Sequence, residues 1–266
     1  MVKFKFYFLF PYLVLLLITS ALTAQNNRRP LSSEDLFFAK GHNRFVASVY
    51  VNKGKTEREY GSANLENRLG WGFSFTWLHT YHINPTLGFE WGLGYGAIPL
   101  RYYFDIKESE SGDLNYGLLM YGTDYIEYLH LPIQMVFRKP ITQKLYFNVR
   151  PGISVRYILL QELTLEVINT EPYVEIFDSY STFDNTPRVN FNLGTGISWV
   201  LPHFDMLDFQ LMANISPYQY IFNEYYFFPG TAYETFGRYK SKGTYIGFSV
   251  GYTFTGVRKM IKRARG

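Results

Sequence analysis

The residues of this chain that could do chemistry are scattered, and none fall into the compact motifs that catalysis requires. Five histidines occur: His42, His79, His82, His130 and His203. His79 and His82 lie beside Trp77 and Tyr81, which reads as an interfacial aromatic girdle. The polar stretches 54–67, 105–122, 161–187 and 223–242 contain no histidine, so a surface hydrolase would lack its usual base there. Cysteine is absent, which excludes disulfides, a thiolate nucleophile, a Cys-ligated metal and an acylated lipoprotein cysteine. Asp105, Glu108, Glu110 and Asp113, and further along Glu171, Glu175 and Asp178, lack EF-hand spacing and are expected to be solvated. No phosphate-binding glycine loop is present. The sequence therefore calls for no cofactor and no metal, and an enzyme is the least favoured reading.

A second group of polar residues is better ordered. Glu90, His130, Gln134, Asn148, Arg150, Arg156, Asn192, Gln210 and Asn214 each sit in a segment that alternates with large apolar side chains. In the run from Leu87 to Gly96, one face carries Leu87, Phe89, Trp91, Leu93 and Tyr95, and the other carries Gly88, Glu90, Gly92, Gly94 and Gly96. Successive strand side chains point to opposite faces, so one face is wholly large and apolar. In a soluble sandwich, glycine would make a poor solvent face. In a narrow membrane barrel the large side chains meet lipid, and the small or polar ones fit the crowded lumen. Glu90, His130, Gln134, Arg150 and Arg156 are then candidates for an interior polar network, since buried charges need partners. Trp71, Trp77, Trp91 and Trp199 are candidates for interfacial anchors.

Eight segments carry this alternation, near 44–53, 68–82, 86–104, 123–138, 144–160, 188–200, 207–222 and 243–255. Short connections, such as Asn84-Pro85, alternate with the four long polar stretches. That rhythm predicts an all-β, antiparallel, up-and-down transmembrane barrel of about eight strands, with short periplasmic turns and long extracellular loops. Pro132, Pro151 and Pro217 fall within the strands and predict bulges or lost ladder bonds.

The ends carry different signals. Lys3 and Lys5 precede an apolar run from Phe6 to Ile18 and then small residues, the pattern of a secretory signal peptide over 1–24. Residues 25–42 are expected to form a periplasmic segment, 43–255 the barrel and 256–266 a basic tail. Aromatics make up 20% of the chain, which suits anchoring at two membrane interfaces, and nothing in the charge pattern calls for nucleic acid. The expected location is the outer membrane of a Gram-negative cell. The expected partners are its lipids, the barrel-insertion machinery and secretion or envelope proteins.

The run Tyr128-Leu129-His130-Leu131-Pro132-Ile133 resembles the "YLxIP" strand of PorT-like outer-membrane barrels of Bacteroidota. In that family a glycine-centred apolar run follows, as Val149-Arg150-Pro151-Gly152-Ile153-Ser154 does here. The resemblance covers about residues 43–255 and implies the fold and the location but no shared activity. PorT itself serves a protein-secretion system, so the resemblance admits an accessory role of that kind. The functional expectation is a structural, interaction or secretion-accessory barrel whose lumen is filled by polar side chains; a narrow pore for small solutes is the alternative.

Overall fold

The computed structural model describes residues 41–61, 63, 65–106, 118–160, 162–170, 173–201 and 205–254. The expected signal peptide, all but the last residues of the segment 25–42, and the basic tail lie outside the described residues, as do Glu108, Glu110, Asp113, Glu171 and His203. Fourteen strands are described. In chain order they are β1 (His42–Asn52), β2 (Lys55–Tyr60), β3 (Leu65–Asn67), β4 (Gly70–Asn84), β5 (Leu87–Ile106), β6 (Leu118–Pro140) and β7 (Leu145–Ile158). Then follow β8 (Glu162–Thr170), β9 (Tyr173–Phe183), β10 (Arg188–Val200), β11 (Met206–Ile215), β12 (Ile221–Phe227), β13 (Thr235–Ser241) and β14 (Tyr245–Phe254).

Eight of these form a closed antiparallel ring, β1-β4-β5-β6-β7-β10-β11-β14. Each pairs with the next along the chain, and β14 pairs back onto β1 from Asn43 opposite Phe254 to Asn52 opposite Tyr245. Closure leaves the wall no free edge, so every strand is paired on both sides. The lower turns are tight. At the β4–β5 turn, Asn84 Oδ1 accepts from the amides of Thr86 at 2.9 Å and Leu87 at 2.8 Å, an Asx-type turn that replaces missing backbone bonds.

The prolines act as their chemistry requires. Lacking an N–H, Pro132 leaves the β5–β6 ladder without pairs at Gly92 and Leu93. Pro151 does the same between β6 and β7, opposite Met135. The register is unchanged on either side of both gaps. Pro217 is in no strand; it follows the end of β11. The expected seventh segment, 207–222, is therefore two elements, β11 and the start of β12.

The largest departure from expectation is above the barrel. Parts of three of the four long loops form a second sheet of five strands, in the order β2-β13-β12-β9-β8. Its inner face packs on the upper reach of β5, where β3 also pairs. Phe104, Phe177 and Phe227 meet there with ring centroids 5.0 to 5.1 Å apart. Each fully buried aromatic of this kind contributes about 1.5–3 kcal/mol. A second apolar cluster, including Tyr50, Ile98, Ile126, Tyr128, Ile158, Ile221 and Tyr245, joins this cap sheet to the upper mouth of the barrel.

Candidate functional site in the barrel lumen

Inward-facing side chains of the wall make two polar clusters with a small chamber between them. The lower cluster centres on two carboxylates, Glu90 of β5 and Asp208 of β11. Arg44 of β1 donates to both, to Glu90 at 3.1 Å and to Asp208 at 3.0 Å. Arg150 of β7 lies 3.4 Å from Glu90 and 2.9 Å from Asp208. Arg138 of β6 is 3.9 Å from Glu90 and 2.9 Å from His82 Nδ1. Neutral donors complete the carboxylates: Thr80 at 3.0 Å and Gln134 at 2.6 Å on Glu90, and Thr253 at 3.3 Å and Ser198 on Asp208. Gln210 reaches Asn148 at 3.0 Å, and Asn148 also accepts from Arg150. All five charged residues are fully buried. Charges in such a site persist only when paired and hydrogen-bonded, as these are.

The upper cluster is built on Arg156 of β7. Its guanidinium donates to Asn214 at 2.9 Å and to the Gly243 carbonyl at 3.1 Å. It lies 4.6 Å from the Tyr128 ring centre and 5.4 Å from those of Tyr220 and Tyr245, in cation–π range. Tyr50 stacks on Tyr245 at 4.0 Å and meets the Tyr128 hydroxyl at 3.1 Å. The glycine face of β5 makes these approaches possible. A Cβ at Gly94 would overlap the His130 ring, and one at Gly96 would sit 2.5 Å from the Tyr128 hydroxyl.

The structure thus brings Glu90, Gln134 and Arg150 together and places Arg156 apart from them. His130 lies between the two groups, 3.1 Å from Thr76 and half-buried. Arg44, Arg138 and Asp208 complete the lower cluster and were not among the expected residues. Their phase along β1, β6 and β11 points inward, but they stand near strand ends, where a charge is easily read as solvated. His82 corrects the girdle expectation. It is buried inside the lower mouth with its ring 5.1 Å from that of His42, because it shares the inward phase of Thr80. His79, on the opposite phase, stays outside with an edge contact to Trp91 at 4.7 Å.

The outer face of the wall is predominantly apolar. Trp71, Trp77, Trp91 and Trp199 are all exposed, with Phe45, Phe75, Leu131, Phe191, Leu211 and Ile246 among them. Trp71 stands near the upper end of β4, Trp91 and Trp199 toward the lower ends of β5 and β10, and Trp77 in the middle of β4. A wall that buries its arginines and exposes its tryptophans is inverted relative to a water-soluble protein and matches a bilayer. The chain is an outer-membrane β-barrel.

No family model matches the chain and no curated protein sequence matches it, so the PorT-like resemblance rests on the quoted motifs alone. Solved structures of small outer-membrane proteins do match. OprG from Pseudomonas aeruginosa is 11% identical over 80% of this chain and 95% of that one, with a TM-score of 0.36. Neisserial surface protein A is 15% identical over 79% and 95%, with a TM-score of 0.28. Ail of Yersinia pestis, solved with the heparin analogue sucrose octasulfate, is 13% identical over 81% and 99%, with a TM-score of 0.27. These values transfer no activity to the barrel, whose fold rests on the strand pairing above.

Outside the membrane the cap sheet carries charge on its outer face. Lys55 at 2.7 Å and Lys240 at 3.2 Å hydrogen-bond Glu57 and hold its carboxyl below the ordinary range. Arg238 pairs with Glu224 at 3.2 Å and with Glu59. On the β8–β9 side, desolvation and the neighbouring Asp178 and Glu166 raise the Glu175 carboxyl.

Proposed function

We propose that the barrel is a closed, non-catalytic scaffold of the outer membrane that holds its cap sheet at the cell surface for interaction with an envelope or secretion component. The observation that carries this reading is the lower ionic cluster, whose members come from β1, β5, β6, β7 and β11 and meet across the lumen. An eight-stranded barrel is just wide enough for its own side chains to fill it. The apolar packing between the cap and the upper mouth supports the same reading. The secretion-accessory form of the proposal draws on the PorT-like motif, and the lipids and the insertion machinery are its other proposed partners.

Planar-bilayer recording tests the closed lumen. The wild-type barrel is expected to be silent, and combined Glu90→Ala and Arg150→Ala substitution is expected to open a steady conductance. A conducting wild type overturns the reading in favour of a narrow solute pore. Purification from the native outer membrane in mild detergent, followed by mass spectrometry, tests the interaction role. A reproducible companion set is expected, and a clean monomer counts against it.

A further inference from the structure

Between the two polar clusters the lumen holds a chamber of about 70 Å³. At roughly 10–15 Å³ of such space per water, this accommodates about five to seven water-sized bodies. Its lining is mixed: Val46, Leu78, Pro132 and Met212 contribute apolar surface, while Arg44 and Arg150 and the hydroxyls of Ser48, Ser74, Thr76 and Ser249 contribute donors. No carboxylate among the described residues lines it.

Charge and hydrogen bonding are both incomplete beside this chamber. In the lower cluster three buried guanidiniums, of Arg44, Arg138 and Arg150, face two buried carboxylates, Glu90 and Asp208. One positive charge is left over among the described residues of that cluster, and Arg156 adds another above it. Arginine does not shed its proton in proteins, so the imbalance cannot be relieved by titration. Arg44 is 1% exposed and lines the chamber, and its Nη2 has no hydrogen-bond partner. A buried cationic donor without an acceptor is costly, and water alone would leave the charge in place.

We propose that the chamber binds a small inorganic anion of halide size, held by Arg44 and the surrounding hydroxyls and accompanied by water. The anion would neutralise the lower cluster and act as a structural counter-ion of the folded barrel. This goes beyond the closed-lumen proposal and is independent of it, because a silent barrel and a conducting one could each hold the ion.

The test uses the full chain as purified in detergent. Crystals grown with bromide in place of chloride are expected to show an anomalous peak in the chamber beside Arg44; a chamber holding water alone overturns the proposal. In lipid vesicles at constant ionic strength, bromide replacing gluconate, which is too large for the chamber, is expected to favour the folded state. Above saturation the unfolding constant should fall about tenfold for each tenfold rise in bromide. Arg44→Gln is the direct variant, but it can fail to fold. Gly194→Leu keeps every charged residue: a Cβ at Gly194 finds its nearest neighbours at 3.5 and 3.6 Å, and the longer side chain fills the space. This variant is expected to fold and to lose the bromide dependence. Halide-independent unfolding of the wild type, or dependence that persists in Gly194→Leu, overturns the proposal.

Discussion

Arg150 on β7 and Asp208 on β11 are joined at 2.9 Å although β10 runs between their strands. The bond therefore crosses the lumen and ties together parts of the wall that share no backbone ladder. Removing one partner of a buried pair costs about 3–5 kcal/mol when it leaves charge uncompensated. Asp208 is that partner here, because it is shared by Arg150 and Arg44. Asp208→Asn is expected to destabilise the barrel by about that much, read from urea unfolding in lipid vesicles. A loss below about 1 kcal/mol, the usual value of an exposed pair, would contradict the buried network.

Two glycines of β10, only two residues apart, should respond oppositely to the same change. A Cβ at Gly196 would overlap the carbonyl oxygen of Phe209 on β11, and backbone in a closed wall cannot move aside cheaply. At Gly194 a Cβ meets only ordinary contacts. Gly196→Ala is expected to cost about 1–3 kcal/mol and to slow assembly, while Gly194→Ala is nearly neutral. Heat-modifiable migration in detergent gels, followed over time during refolding, distinguishes the two.

The cap should depend on pH through Tyr60 and Glu234, which share a hydrogen bond between β2 and the β12–β13 connection. That bond raises Tyr60 from 10.0 to about 12, and the same bond with the Gly230 amide lowers Glu234 from 4.5. A raised tyrosine contributes stability below its unfolded value and loses it as pH rises through about 12. A lowered carboxylate contributes above its unfolded value and loses it as pH falls through the folded one. The contact is thus fully in force between the ordinary carboxyl and tyrosine ranges. Ultraviolet titration of the wild type against Tyr60→Phe is expected to show one phenol ionising near 12. A difference spectrum centred near the unperturbed value would refute the bond.

Phe227 is fully buried between Phe104, Phe177 and Tyr225, well above the bilayer belt. Phe227→Ala is expected to remove about 3–5 kcal/mol from this cluster. Because the cap sheet and the barrel wall are separate ladders, the cap should open first. Limited proteolysis is expected to nick β12 or β13 while the barrel keeps its heat-modifiable shift; simultaneous loss of both would mean that the two sheets unfold as one unit.

The wall was legible in the sequence for a physical reason. Lipid demands large apolar side chains on alternate positions, and a narrow lumen demands small or polar ones between them, so Trp91 beside Gly92 carries the information twice. Glu90 and Arg150 stand out because the alternation around them is long and regular, in Leu87–Gly96 and in Leu145–Ile158, so each is assigned to the inner face. Arg44 and Asp208 have the same phase, but the alternation is short at strand ends and the signal fades. The cap was not legible. In β13 the run Thr235–Ser241 buries residues on both faces and mixes aromatics with cations, so it reads like a solvated loop. The strands of the cap also come from three separate loops, and no local pattern announces a pairing such as Arg238 with Glu57, far apart in the chain.

The seam between β1 and β14 has a consequence for biogenesis. Every other junction in the ring joins strands that follow one another in the chain, but Asn43 finds Phe254 only when nearly the whole described chain is available. Ring closure therefore needs residues from both ends of the described chain at once. Until the two strands meet, the wall is a ribbon with two bare edges, each a template for pairing with another chain. A stop codon anywhere before residue 245 would yield no smaller barrel, only an open ribbon with no partner for its first strand.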